Sequence, residues 1–149
     1  MELLEILDEH VIKDCLVATD KVDAITKMCT LLHDNGYISD VESFKTDVLK
    51  REEIGETGIG NMIAIPHGKS TSVKKSAISI CKLDREIEWE TLDGKGVKVI
   101  ILFGVQDDIE AAKDHLRLLA QVARKLAKEE VVESLVNANS SKEIIDCFR

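Results

Sequence analysis

One segment concentrates the residues able to do chemistry: Arg51-Glu52-Glu53-Ile54-Gly55-Glu56-Thr57-Gly58-Ile59-Gly60-Asn61-Met62-Ile63-Ala64-Ile65-Pro66-His67-Gly68. Pro66 has no backbone N–H and a fixed φ. It ends the strand pattern Met62-Ile63-Ala64-Ile65 and disfavours helix at Ile65. His67 therefore stands at a strand end, between a rigid residue and the permissive Gly68. An imidazole, with an ordinary pKa of about 6.5, suits the role of neutral nucleophile near pH 7. The glycines allow backbone N–H groups to converge on an oxyanion. Arg51 offers a positive fork for the same anion. Such parts suit phosphoryl transfer, where positioning and charge stabilisation do most of the catalysis. The competing reading is a plain Gly-rich turn between strands. A nucleotide loop is excluded, because no G-x-x-x-x-G-K-[ST] occurs, and Gly58-Ile59-Gly60 does not complete a dinucleotide fingerprint.

Other reactive side chains read more plainly. His115 sits before a helical stripe and, taken alone, is a partly exposed cap-region residue. His10 and His33 match no motif and read as surface positions. Asp107, Asp108 and Glu110 lack a second ligand cluster of diagnostic spacing, so they read as a solvated loop and no metal site is expected. Lys74-Lys75 reads as a solvated strand entry, and Trp89, between Glu88 and Glu90, as a half-exposed strand residue. Cys15, Cys29, Cys81 and Cys147 form no C-x-x-C pair; most read as small buried hydrophobes, which makes a reducing cytoplasm the default compartment.

The elements that must hold His67 in place follow from composition and pattern. The chain has 149 residues, 44% of them hydrophobic and 32% charged, so one soluble domain over residues 1–149 is expected. The net charge of −8 and 3% aromatic content oppose nucleic-acid binding. The most apolar run, Val99-Ile100-Ile101-Leu102-Phe103, is far shorter than a membrane span, and Glu2 and Glu5 do not suit a signal peptide.

Leu3, Leu4, Ile6 and Leu7 suggest a helical turn, and Val11, Ile12, Leu16 and Val17 a strand. Thr19-Asp20 caps a helix carrying Val22, Ile25, Met28, Cys29 and Leu32, stopped by Asn35-Gly36. Ser39 with Glu42 forms a capping box for a second helix through Val41, Phe44, Val48 and Leu49. Strands follow at Met62–Ile65, Ala77–Cys81 and Val97–Phe103, with a turn at Asp93-Gly94; the last strand is apolar on both faces. The final third is helical, with one stripe at Leu116, Leu119, Ala120, Ala123 and Ala127 and another at Val131, Val132, Leu135 and Val136. Ser140 and Glu143 then form a capping box ahead of Ile144, Ile145 and Phe148. The predicted order is β-α-α-β-β-β-α-α-α, an α/β mixed sheet sandwiched between helices on both faces.

Gly58-Ile59-Gly60-Asn61 followed by Ile63-Ala64-Ile65-Pro66-His67-Gly68 resembles the active-site signature of enzyme IIA domains of the bacterial phosphotransferase system, fructose/mannitol type. The resemblance extends upstream to Arg51-Glu52 and downstream to Asp114-His115-Leu116, and covers nearly the whole chain. It implies a phosphocarrier and a phosphotransferase activity without a cofactor. By this resemblance His67 takes a phosphoryl group on Nε2 from the phosphohistidine of HPr and passes it to an enzyme IIB partner, usually onto a cysteine. A membrane enzyme IIC lies further downstream. Arg51 matches the arginine that neutralises the phosphoryl group, and His115 a second active-site histidine that steadies it. Two positions depart from the pattern. Glu56 stands where many members carry a small hydroxylic residue, and Met62 where the residue is often small. A second function fits the same resemblance: a nitrogen-related enzyme IIA regulator that acts by phosphorylation-dependent binding to targets.

Overall fold

The computed structural model describes residues 2–149. A short helix α1 (Leu3–Ile6) and a 3-10 turn (Glu9–Val11) lead into strand β1 (Ile12–Leu16). Helices α2 (Lys21–Asp34) and α3 (Val41–Ile54) follow, then β2 (Gly58–Gly60), β3 (Ile63–Ala64), β4 (His67–Ser70), β5 (Ala77–Ile87) and β6 (Val97–Gln106). Helices α4 (Ile109–Leu126), α5 (Glu129–Val136) and α6 (Ser141–Asp146) complete the chain. No helix among the described residues is long and apolar enough to cross a membrane.

The strands form one mixed sheet in the order β1-β5-β6-β3-β2, with β4 also paired to β6. β6 is its centre. It runs antiparallel to β5 on one side. On the other it runs parallel to β3 at Val99 and Ile100, then to β4 from Phe103 to Gln106. Helices cover both faces, as the pattern predicts. One face packs Ala64, Ala77, Cys81, Ile100 and Leu102 against α2 and α3, through Ile25, Met28, Phe44 and Val48. The other packs Ile78, Ile80, Val99, Ile101 and Phe103 against α4, α5 and α6, through Leu118, Val122, Leu135 and Ile144. Fully burying one such side chain is worth roughly 1.5–3 kcal/mol, so these two layers are what hold the sheet in register.

Several local expectations change. The middle of the chain holds five strands rather than three. The added ones, Gly58-Ile59-Gly60 and His67-Gly68-Lys69-Ser70, have little strand propensity of their own; pairing to β3 and β6 imposes the conformation. The cap of α3 is Asp40, whose carboxylate accepts from Ser43 N–H, while the Ser39 hydroxyl donates to the Ser72 carbonyl. Trp89 is buried at 7% exposure, not half-exposed; Glu88 and Glu90 take the outward positions of the alternation. Asp108 caps α4 by accepting from Ala111 N–H. Cys29 and Cys81 are buried, whereas Cys15 is exposed and Cys147 intermediate.

The α4 stripe is also rotated. Its buried residues are Ala111, Leu118, Val122 and Leu126, with Leu116 exposed at 65%. The position that completes this stripe one turn after Ala111 is His115, a polar residue that a search for leucines and alanines passes over.

Candidate active site

Pro66 divides one edge of the sheet into two short strands. β3 ends at Ala64 and β4 begins at His67, and the Pro66 carbonyl between them accepts from Phe103 N–H at 3.0 Å. Side chains alternate along a strand. Gly68 faces α3 so closely that a Cβ there would lie 2.8 Å from Val48 Cγ2 and 3.0 Å from Phe44 Cε1. His67 accordingly points to the α4 side, half-buried, opposite Phe103 in the ladder. His115 approaches from α4. The two imidazole centroids are 5.2 Å apart, and Phe103 meets His115 edge-on, also at 5.2 Å.

The electrostatics favour neutral rings. Burial lowers the His67 pKa below its ordinary value; the Ile65 carbonyl opposes that shift, Arg51 adds to it and Glu52 opposes it. His67 Nδ1 lies 3.4 Å from the Ile65 carbonyl oxygen. A carbonyl can only accept, so this contact places the ring proton on Nδ1 and leaves the Nε2 lone pair free. Burial, with His67 beside it, pushes His115 down to about 4. Its Nδ1 is buried without a protein partner.

Arg51 lies in the last turn of α3, where its Nη1 donates to the Gly55 carbonyl at 2.9 Å. The structure thus brings together the two histidines, with the Arg51 charge acting on His67. The glycines of the loop serve packing and turning. A Cβ on Gly58 would lie 2.5 Å from the Glu90 carbonyl oxygen, so β2 can approach that segment only without a side chain. Gly60, Asn61 and Met62 carry φ of 93°, 56° and 66°, and Asp93 accepts from Asn61 N–H to hold the turn. Left-handed backbone at Met62 costs about 1–2 kcal/mol, a cost that a glycine at that place would not carry.

One functional candidate is absent from the sequence-based set. Glu52 is buried and its charge acts on His67. The signal was present: Phe44, Val48 and Glu52 recur at helical spacing on the buried face of α3, and a carboxylate in a core stripe needs a reason.

Sheet, motif and paired imidazoles define a class: α/β domains that present a histidine at a strand end. The chain belongs to the family described as "Phosphoenolpyruvate-dependent sugar phosphotransferase system, EIIA 2", whose model matches residues 5–149, and it is therefore a phosphotransferase-system component. It is 33% identical to the PTS system fructose-specific EIIABC component of Bacillus subtilis over 98% of this chain and 23% of that protein. The chain thus spans about a quarter of the length of that relative. It is 31% identical to the mannitol-specific phosphotransferase enzyme IIA component of the same organism, over 97% of each. Among solved structures it matches the nitrogen regulatory protein IIA-Ntr from Neisseria meningitidis with a TM-score of 0.88 and 25% identity, covering 98% of both chains.

Proposed function

We propose that residues 1–149 act as one phosphocarrier module, with His67 as the residue that carries the phosphoryl group. The observation that carries the reading is the orientation of His67: Nδ1 turned to the Ile65 carbonyl, Nε2 left free, beside a second neutral imidazole. The Nε2 lone pair attacks the phosphorus of a phosphohistidine on HPr. The nitrogen–phosphorus bond of the donor breaks, and its electron pair returns to the donor imidazole. In the second half, a thiolate of an enzyme IIB partner attacks the same phosphorus and the His67 Nε2–P bond breaks. Arg51 and His115 stabilise charge on the phosphoryl oxygens without accepting the group. The name of the Bacillus subtilis relative, which joins A, B and C components, supports an enzyme IIB acceptor and an indirect link to a membrane enzyme IIC. The cytoplasm is the compartment where such a donor and acceptor would meet.

The test is direct. With enzyme I, HPr and phosphoenolpyruvate, the protein gains one acid-labile, base-stable phosphate that moves on to a cognate enzyme IIB. His67→Ala removes the phosphate and leaves the circular dichroism spectrum unchanged. Mass-spectrometric placement of the phosphate on another residue overturns the assignment.

A regulatory role is the second reading, favoured by the likeness to the nitrogen regulatory protein. Phosphorylation without transfer to any enzyme IIB, together with phosphate-dependent capture of a target protein, would select it.

A further inference from the structure

Glu52 is the one charged residue among the buried side chains described. Its Oε2 lies 2.8 Å from Lys21 Nζ, at the first turn of α2. Its Oε1 accepts a hydrogen bond from the Thr57 hydroxyl. Lys21 also lies 2.7 Å from the exposed Glu90 carboxylate and 5.1 Å from the Trp89 ring centroid. One cation thus ties α2, α3 and the segment after β5 together. Well-packed apolar side chains would stabilise the same space as well as this ion pair does, so stability alone does not account for it.

The contacts run on from Glu52 to the site. Thr57 joins its hydroxyl to Glu52, and its carbonyl accepts from Ile65 N–H at 2.9 Å. The Ile65 carbonyl in turn faces His67 Nδ1. Lys21, Glu52, Thr57, Ile65 and His67 therefore form an unbroken series of polar contacts. We propose that Lys21, Glu52 and Thr57 are positioning residues for phosphoryl transfer: they fix the Ile65 carbonyl where it holds the Nδ1 proton and keeps Nε2 of His67 free to attack.

The inference rests on the reading of His67 as phosphoryl acceptor. Geometry and charge agree on it. The charged groups acting on His67 are Arg51 and Glu52, both on α3, and the titratable neighbour from α4 is His115. Arg51 disfavours the imidazolium and Glu52 favours it, so Glu52 offsets part of the arginine's effect on the ring. Lys21 holds that carboxylate in place at 2.8 Å.

Three variants test the relay. Thr57→Val keeps shape and removes the hydroxyl; Thr57→Ser keeps the hydroxyl; Glu52→Gln removes the charge. Two measurements are made on each: the rate of phosphorylation by phospho-HPr, and the nitrogen-15 NMR titration of His67 in the unphosphorylated protein. Thr57→Val is expected to slow phosphorylation roughly tenfold or more and to shift the neutral ring toward the Nε2–H tautomer. Thr57→Ser is expected to stay close to wild type in both. Glu52→Gln is expected to move the His67 titration midpoint to lower pH. A purely structural role would lower the melting temperature while leaving tautomer and midpoint untouched, and that result overturns the relay. If Thr57→Val does not fold, the tautomer and midpoint of Glu52→Gln decide alone, wild-type values again overturning it. Phosphate on wild-type His67 alongside unperturbed variants overturns the relay only. No phosphate on wild-type His67 overturns the functional reading as well.

Discussion

His67 and His115 stand with ring centroids 5.2 Å apart and planes tilted by 41°, one on a strand end and the other on the helix that covers it. Two half-buried imidazoles at this distance cannot both carry charge without an electrostatic cost. The arrangement keeps both neutral near pH 7, so one can act as a nucleophile and the other as a hydrogen-bonding neighbour.

That relationship has a consequence for stability. His115 falls to about 4 in the folded protein, against an unfolded value near 6.5, and His67 is also lowered. Between those values the unfolded chain binds more protons than the folded one, so folding weakens as pH falls. Above about pH 7 both states are neutral at these positions and the contribution is flat. The melting temperature is therefore expected to drop between pH 7 and pH 5, and to drop less in His115→Leu. Equal slopes in the two proteins, measured by differential scanning calorimetry, would remove His115 from this account.

Docking gives a second prediction. Ile54, in the last turn of α3, is 82% exposed and Leu116, next to His115, is 65% exposed. Exposed Glu53 and Glu56 flank Ile54. With a net charge of −8 on the chain and exposed Glu53 and Glu56 close to Arg51 in sequence, a donor that presents basic residues around its own histidine would be attracted. Charge complementarity acts mainly on the association rate and is screened by salt. The second-order rate of transfer from phospho-HPr should fall as sodium chloride is raised from 50 to about 500 mM, a range over which the Debye length shrinks several-fold. A rate indifferent to salt would sink the electrostatic part.

The parts of this architecture that could be read from sequence are those written in contiguous residues. Ile65-Pro66-His67-Gly68 announces a strand end and a presented imidazole, because proline acts on its immediate neighbours. The apolar run of β6 announces a central strand, and Asp20 and Ser140 announce helix starts that the structure keeps. What stayed hidden depends on distant partners. β2 and β4 exist as strands only through pairing. Asp40, one residue further on, takes the capping role expected of Ser39, whose hydroxyl donates to the Ser72 carbonyl. Lys21, Glu52 and Thr57 meet only once α2, α3 and the loop are assembled. Glu52, the member of the site region that stayed hidden, and His115, which only the resemblance pointed to, both occupy core-stripe positions of their helices. A polar residue in phase with an apolar stripe is the signal that finds them.

Gly68 supplies a stability test. A methyl group there would sit 2.8 Å from Val48 Cγ2 and 3.0 Å from Phe44 Cε1, both on fully buried residues of α3. Overpacking of this kind costs about 1–3 kcal/mol. Gly68→Ala should lower the unfolding free energy by that amount, read as a lower urea midpoint with an unchanged slope. Since α3 also carries Arg51, the shift should slow phosphoryl transfer too. A variant as stable as wild type would show that α3 yields freely at this contact.

Arg51 and His115 are expected to act differently on the two halves of the proposed transfer. Arg51 offers a permanent charge in the last turn of α3, and the phosphoryl group is anionic whether it is arriving or leaving. Arg51→Ala should therefore slow both acceptance from HPr and donation to enzyme IIB. Loss of one charge-stabilising donor typically costs on the order of 10²–10³ in rate, and a site open to protein partners belongs near the lower end. His115 contributes differently. It is neutral, edge-on to Phe103 and beside His67, so it can hydrogen-bond the phosphoryl group once that group is on the ring. His115→Ala should then impair donation more than acceptance. Rapid-quench measurements of both half-reactions, with phospho-HPr as donor and enzyme IIB as acceptor, give the two rates for each variant. A variant with wild-type rates in both directions identifies a residue outside the transfer site. Equal loss in both directions for His115→Ala would assign His115 the same electrostatic role as Arg51.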